Sequence, residues 1–315
     1  MDEFALIKTY FQSISPARAD VVFGVGDDAA CLRLSSGLDL LVSCDTLISG
    51  VHFLPDCDPY DLACKALRVT LSDIAAMGGT PCWALLALTL PLLDKRWLQA
   101  FSKGLQESLT QFGVVLIGGD TTRGPLSMTL TVHGTVSEGK AVRRHGAKPC
   151  DLIYVSGELG AAALAVAKGA DLNEPDRTLV MRKLFYPEPR FDLGVLLCEF
   201  ATASIDISDG LSADLSHLCE ASGVGACIAL DNIPIHPVVK RVEPKTALNR
   251  ALAGGEDYEL CFTIPFKREA EFLDRLSSLS KRCYPIGCIE GAPGLRSITE
   301  SGEVLPLSPL GYRHF

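Results

Sequence analysis

Basic residues are in the minority in this chain: Lys and Arg number 29 against 38 Asp and Glu, a formal charge of −9. A surface of that sign repels phosphodiester backbones and anionic lipid, so the expected partners include no nucleic acid and no membrane. It still admits phosphorylated small molecules if divalent cations stand between the like charges. Long apolar runs are also missing. The most apolar stretch, residues 83–93, contains Thr89 and Pro91 and is too short to span a bilayer. The segment Met1-Asp2-Glu3-Phe4 has no basic region and no signal-peptide core, which gives a soluble, cytoplasmic protein as the expectation. The 12 cysteines form no C-x-x-C pair, and Cys198, Cys219, Cys261 and Cys288 lie among apolar neighbours, the pattern of reduced, buried thiols. Several catalytic signatures are absent as well. Without G-x-x-x-x-G-K-[ST] there is no P-loop, and without H-R-D and D-F-G there is no protein-kinase fold. H-E-x-x-H and the calcium-loop pattern are missing too. Gly24-Val-Gly-Asp-Asp-Ala-Ala lacks a third glycine in place and a strong preceding strand, which argues against a dinucleotide fold.

What is present is apolar bulk. A chain of 315 residues with 48% hydrophobic content suits two cores rather than one. Apolar periodicity predicts helices over residues 3–14, 59–77 and 95–112, and strands over 38–44, 83–90, 114–117 and 127–136. A polar, basic stretch follows, with Arg143, Arg144 and Lys148. It sets the expected organisation: an N-terminal domain over 1–138, a linker over 139–149 and a C-terminal domain over 150–315. Beyond it the pattern predicts strands at 152–156, 205–208, 226–230, 258–264 and 284–289, with helices at 159–168, 176–185, 191–203, 210–221 and 268–281. This mixture reads as α+β or α/β in both halves.

The chemistry sits in carboxylates near element ends. They are Asp27-Asp28, Asp45 in Ser43-Cys-Asp-Thr, Asp73 in Leu71-Ser-Asp-Ile, Asp120 after Gly118-Gly119, and Asp206 and Asp209 around Ser208. A hard divalent cation such as magnesium wants oxygen ligands and is held by a few carboxylates together with substrate phosphates. Gathered carboxylates repel one another, and bound cations relieve that repulsion. Each segment also has a plainer role. Asp73 fits a hydrogen-bonded polar residue in a helix, Gly-Asp-Asp a surface turn, and Ser208 or Asp209 a helix N-cap. The combination of five such segments points to metal.

Taken together, Gly24-Val-Gly-Asp-Asp-Ala-Ala, Ser43-Cys-Asp-Thr-Leu, Gly50-Val-His-Phe, Leu71-Ser-Asp-Ile-Ala-Ala-Met-Gly, Gly118-Gly-Asp-Thr-Thr-Arg-Gly, Ile207-Ser-Asp-Gly-Leu and Gly254-Gly-Glu-Asp-Tyr-Glu-Leu resemble, in order, the thiamine-monophosphate kinase family. The resemblance implies the fold shared with aminoimidazole ribonucleotide synthetase. In that fold an N-terminal domain forms an intersubunit β-barrel with its dimer mate, and a C-terminal α/β domain closes over the substrate. It implies a homodimer that phosphorylates thiamine monophosphate to thiamine diphosphate with ATP as co-substrate and several Mg2+ ions. By the same resemblance Asp28, Ser43, Cys44, Asp45, Asp73, Asp120, Asp206 and Asp209 are metal ligands, with Asp45 and Asp120 most critical and no general base. Gly119, Asp120, Arg144 and Ser208 contact ATP, and His52, Glu256 and Tyr312 contact thiamine monophosphate. Read from the residues alone, His52 also fits a satisfied loop histidine, Arg144 a solvated charge and Glu256 a plain turn. The competing readings are another ATP-using enzyme of the same superfamily and a non-catalytic nucleotide- or metal-binding regulator.

Overall fold

The structure, a computed structural model, describes residues 3–12, 14, 17–25, 29–299 and 301–313. The chain divides into two compact units, Met1–Ile74 with Gly79–Gly139, and Ala75–Gly78 with Lys140–Phe315.

The first unit contains α1 (Glu3–Tyr10), the short pair β1 (Val21–Phe23) and β2 (Cys31–Leu32), then β3 (Leu38–Ile48), α2 (Pro59–Ala76), β4 (Thr80–Leu90), α3 (Lys95–Phe112), β5 (Val115–Arg123) and β6 (Ser127–Ser137). Local chemistry sets the helix ends. Asp58 Oδ1 accepts from Tyr60 N at 2.8 Å and Asp61 N at 3.2 Å, with Pro59 at the first helical position of α2. Asp94 caps α3 in the same way, and α3 stops at Gly113, whose φ of 64° is left-handed. The two helices approach closely at Gly104, where a Cβ would overlap the Tyr60 carbonyl oxygen. Strands β3, β6, β4 and β5 form a four-stranded sheet in that order, antiparallel except for the β4–β5 pair. On β6 the side chains alternate between buried Met128, Leu130, Val132 and Val136 and half-buried Thr129, Thr131, His133 and Thr135. One face therefore belongs to the core. Leu62, Leu67, Leu71 and Ile74 of α2 and Leu98, Phe101, Leu105 and Leu109 of α3 are buried with it. The other face leaves Leu40, Val42 and Ile48 of β3 exposed at 47%, 56% and 41%.

Strands β3 and β5 both run further than their apolar patterns predict. β3 continues past Cys44 to Ile48, so Asp45 lies inside a strand rather than in a loop beyond it. Cross-strand threonines explain the extension: Cys44 pairs with Thr131 and Thr46 with Thr129, and the two hydroxyls of the second pair are 2.8 Å apart. Likewise β5 carries Gly118, Gly119 and Asp120 within its pairing to β4.

The second unit contains β7 (Asp151–Val155), α4 (Ala161–Lys168), α5 (Asp176–Phe185), α6 (Phe191–Phe200), β8 (Ala203–Asp206), α7 (Leu211–Ser222), β9 (Gly225–Ala229), α8 (Pro237–Val242), α9 (Ala247–Ala253), β10 (Leu260–Pro265), α10 (Glu269–Ser278), β11 (Tyr284–Glu290), β12 (Gly294–Ile298) and β13 (Val304–Leu307). Its sheet runs β13-β12-β9-β11-β7-β10-β8. Among the described residues β12–β9 is the one parallel pairing, so the sheet is mixed rather than doubly wound. Both faces are covered, which makes the central strands apolar throughout. On β7, Ile153 and Val155 pack with Leu211, Leu215 and Leu218 of α7. Tyr154 packs on the opposite face with Phe200, Phe262 and Phe272. Short elements with little periodicity, β1, β2, β12, β13, α8 and α9, went unpredicted.

Candidate active site

In the second unit the predicted residues converge. Strand β8 ends at Asp206, which is buried, and the chain turns through Ser208, Asp209 and Gly210 into α7. Two other segments are bonded to that turn through main-chain atoms. Glu256 N donates to Ser208 O at 2.8 Å, Tyr258 N to Ile207 O at 2.8 Å, and Tyr312 N to Asp209 O at 3.0 Å. The C-terminal segment is held further by Ser212, whose hydroxyl lies 2.7 Å from Leu310 O and accepts from Leu310 N at 3.1 Å. Glycines permit the closeness: a Cβ on Gly255 would sit 2.6 Å from Ser208 O, and one on Gly311 2.8 Å from Asp209 O. Ser208, Asp209, Glu256 and Tyr312 thus occupy one cradle, with Asp206 at the end of the strand that leads into it.

The N-cap role for Ser208 or Asp209 is not what is observed. The N-cap of α7 is Gly210, without a side-chain cap bond. Asp214 does that work from inside the helix, accepting from Asp209 N and Gly210 N at 3.1 Å each. Burial pushes the Asp214 carboxyl up to about 7 against the two amide bonds it accepts, with smaller contributions from the Asp209 charge, which raises it, and the Arg144 guanidinium, which lowers it. Arg144 is therefore within electrostatic reach of the cradle, although its side chain is exposed.

Two residues that sequence reasoning did not assign lie just below. Asp257 and Glu259 are 8% and 3% exposed and alternate with half-buried Glu256 and Tyr258. Asp257 accepts from Gly160 N, the N-cap of α4, through both carboxylate oxygens, at 3.0 and 2.9 Å. Desolvation, opposed by those bonds, raises its pKa well above the ordinary 3.8. Glu259 accepts from Arg190 Nε at 2.7 Å, Arg190 Nη2 at 2.5 Å and Ser156 Oγ at 2.6 Å. The available signal was the run Glu-Asp-Tyr-Glu itself, four polar residues opening an otherwise apolar strand.

In the first unit, Ser43 Oγ donates to Asp73 Oδ2 at 2.5 Å, so β3 and α2 bring this predicted pair together. Asp45 shares the face of Ser43 by strand alternation. Cys44 points the other way, and its thiol accepts from Thr131 Oγ1 at 3.4 Å. Asp120 stands on β5, at the opposite sheet edge from Asp45 on β3. Three strand spacings, about 14 Å along the sheet, separate those edges. Among the described residues no three His, Cys, Asp or Glu side chains converge in metal-binding geometry. Asp28 lies outside the described residues. Gly119 has φ of 151°, and a Cβ there would overlap the Leu86 carbonyl oxygen, so strand packing alone requires glycine. His52 accepts from Ile48 N through Nδ1 at 3.0 Å, the satisfied loop role.

The donor set nevertheless suits magnesium in kind. The Asp and Ser oxygens are hard donors, and a Ser43–Asp73 pair at 2.5 Å offers two of them from different elements. The soft Cys44 thiol does not suit it.

This two-unit chain matches the AIR synthase related protein models: the N-terminal domain over residues 26–136 and the C-terminal domain over 148–300. It is a protein of that two-domain class. It is 47% identical to a thiamine-monophosphate kinase of Escherichia coli (strain K12), over 99% of this chain and 98% of the relative. The crystal structure of a thiamine-monophosphate kinase from Stenotrophomonas maltophilia K279a superposes with a TM-score of 0.87 at 40% identity, covering 96% of this chain and 98% of that one. A structure described as AaThiL complexed with AMPPCP and TMP gives a TM-score of 0.79 at 30% identity, covering 90% and 89%. Within the class, the chain belongs to the thiamine-monophosphate kinase family.

Proposed function

We propose that the chain transfers the γ-phosphoryl group of ATP to thiamine monophosphate, giving thiamine diphosphate and ADP. The observation that carries this reading is the cradle in the second unit, where the Glu256 and Tyr312 amides donate to the Ser208 and Asp209 carbonyl oxygens. The full-length likeness to relatives of that name, one of them complexed with AMPPCP and TMP, supports it.

Phosphoryl transfer depends mainly on positioning and charge neutralisation. The acceptor is a phosphate monoester, already anionic near neutral pH, so no general base is needed. The obstacle is bringing two polyanions into line. Magnesium, when bound, screens and aligns those phosphates. Asp45, Asp73 and Asp120, Asp206 and Asp209, Ser43, the Cys44 carbonyl oxygen and Asp28 would hold it. Gly119, Ser208 and Arg144 meet the nucleotide, Arg144 as a cation that balances phosphate charge. Glu256 faces the cationic ring system of thiamine, with His52 and Tyr312 completing the acceptor contacts. Transfer is direct and in line, without a phosphoenzyme.

Residues 1–138 form a part that binds ATP and metal and pairs with its dimer mate, joined through 139–149 to a C-terminal part over 150–315 that carries Asp206, Ser208 and Asp209 as well as the acceptor contacts Glu256 and Tyr312. The first part works as a dimer. Strands β3 and β5 are unpaired edges, and the open face of their sheet carries Leu40, Val42 and Ile48. Two such four-stranded sheets closing into an eight-stranded barrel would remove the edges and cover that face. Asp45 and Asp120, each on an edge strand, would then lie at the seams between copies.

The test is ADP release from Mg-ATP with thiamine monophosphate, thiamine or an aminoimidazole ribonucleotide precursor as acceptor. Release with thiamine monophosphate alone is expected. Release with the aminoimidazole precursor instead would move the chain elsewhere in the superfamily, and release with none would favour a regulator.

A further inference from the structure

The loop between β7 and α4, Ser156-Gly-Glu-Leu-Gly160, has the look of a phosphate cradle: two glycines and a helix N-terminus behind a strand. It is already filled. Asp257 takes the Gly160 N–H on both carboxylate oxygens, at 3.0 and 2.9 Å. The chain's own carboxylate occupies the place an external anion would take.

The purpose of that internal carboxyl group is legible in the backbone around it. Glu256 and Tyr258, the residues on either side, have φ of 77° and 50°, left-handed values that side chains other than glycine rarely adopt. Such a conformation persists only where the surroundings over-determine it. Here three fastenings do so. Asp257 is pinned to α4. Glu259 is clamped by Arg190 and Ser156, with Lys183 Nζ 3.6 Å from its carboxylate. The Glu256 and Tyr258 amides are bonded to Ser208 O and Ile207 O. The segment alternates residues anchored in the body of the unit with residues held beside the Ser208–Asp209 turn.

We propose that Asp257 is the positioning residue for Glu256: by filling the N-terminus of α4 it locks the left-handed backbone that holds Glu256 beside the Ser208–Asp209 turn, and so sets the affinity for the cationic acceptor. The affinity half rests on the acceptor role of Glu256 proposed above, while the backbone half does not. Asn in place of Asp257 keeps the size but turns one acceptor into an NH2 group, a donor set against a backbone donor.

The experiment has a structural and a kinetic arm, both on the full chain. In the unsubstituted protein, hydrogen exchange at Gly160, Glu256 and Tyr258 should report one cooperative opening, and Asp257→Asn should speed exchange at Glu256 and Tyr258 specifically. Asp257→Asn should also raise KM for thiamine monophosphate by about tenfold, leave KM for ATP within about twofold, and add nothing to that rise in a Glu256→Gln background. Loop-rate exchange at Glu256 and Tyr258 in the unsubstituted chain would overturn the proposal even if Asp257→Asn failed to fold. So would an equal rise in both KM values, or an Asp257→Asn effect that persists in full beside Glu256→Gln. If Glu256→Gln alone leaves the acceptor KM unchanged while Asp257→Asn still frees the loop, the backbone lock stands and the acceptor role of Glu256 falls.

Discussion

Asp45 and Asp120 are each held by an ordered strand, with a main-chain partner opposite: Leu130 for Asp45 and Ala87 for Asp120. Their carboxylates add little to that pairing, so replacing either by Asn removes a negative charge while leaving the ladder in place. For Asp45→Asn or Asp120→Asn, turnover is expected to fall by about a hundredfold or more, with the circular dichroism spectrum and melting temperature close to those of the unsubstituted chain. Turnover at the original rate in either purified variant would remove that residue from the machinery. His52, by contrast, has a structural role: its Nδ1 caps the turn after β3. Any contact it makes with the acceptor uses the opposite side of the ring.

Among the elements, helix ends concentrate the specific side-chain bonds. Helix α8 is capped by His236, whose Nδ1 accepts from Val238 N at 3.3 Å. Only an unprotonated Nδ1 can accept, and burial lowers the His236 pKa below the ordinary 6.5. A histidine depressed in the folded state contributes stability that is present above 6.5 and lost as pH falls through the folded value. Denaturant unfolding should therefore show a loss of about 1 kcal/mol on acidification across that window, the worth of one N-cap. His236→Asn, which supplies an acceptor that does not titrate, should flatten this part of the profile; an unchanged slope would assign it to another group. Elements also mark how far the sequence could be read. Helix α3 was legible to the residue because Asp94 and Gly113 punctuate a long apolar period. Strand β3 was read only to Cys44, since periodicity cannot see the threonine ladder that carries it through Asp45 to Ile48. Of the acidic segments, the structure brings Asp73 to Ser43 and holds Glu256 beside the Ser208–Asp209 turn. The alternation of Asp257 and Glu259 with Glu256 and Tyr258 was not legible, because its logic lies in Gly160 and Arg190, which are distant in sequence.

For the molecule as a whole, the exposed apolar face of β3 is the feature a lone chain leaves unexplained. Val42 at 56% exposure tolerates almost any side chain in an isolated unit, yet a charge there would be costly inside a closed barrel. Val42→Lys should sediment as a monomer, unfold cooperatively and lose turnover, whereas a variant that still dimerised would place the interface elsewhere. The central claim is that one phosphate is driven onto another, and 31P NMR of the reaction tests it most directly. With Mg-ATP and the purified chain, the single resonance of thiamine monophosphate should give way to the two coupled resonances of thiamine diphosphate, one equivalent for each ADP formed. ATP consumed to ADP and inorganic phosphate, with the thiamine monophosphate resonance unchanged, would contradict the account.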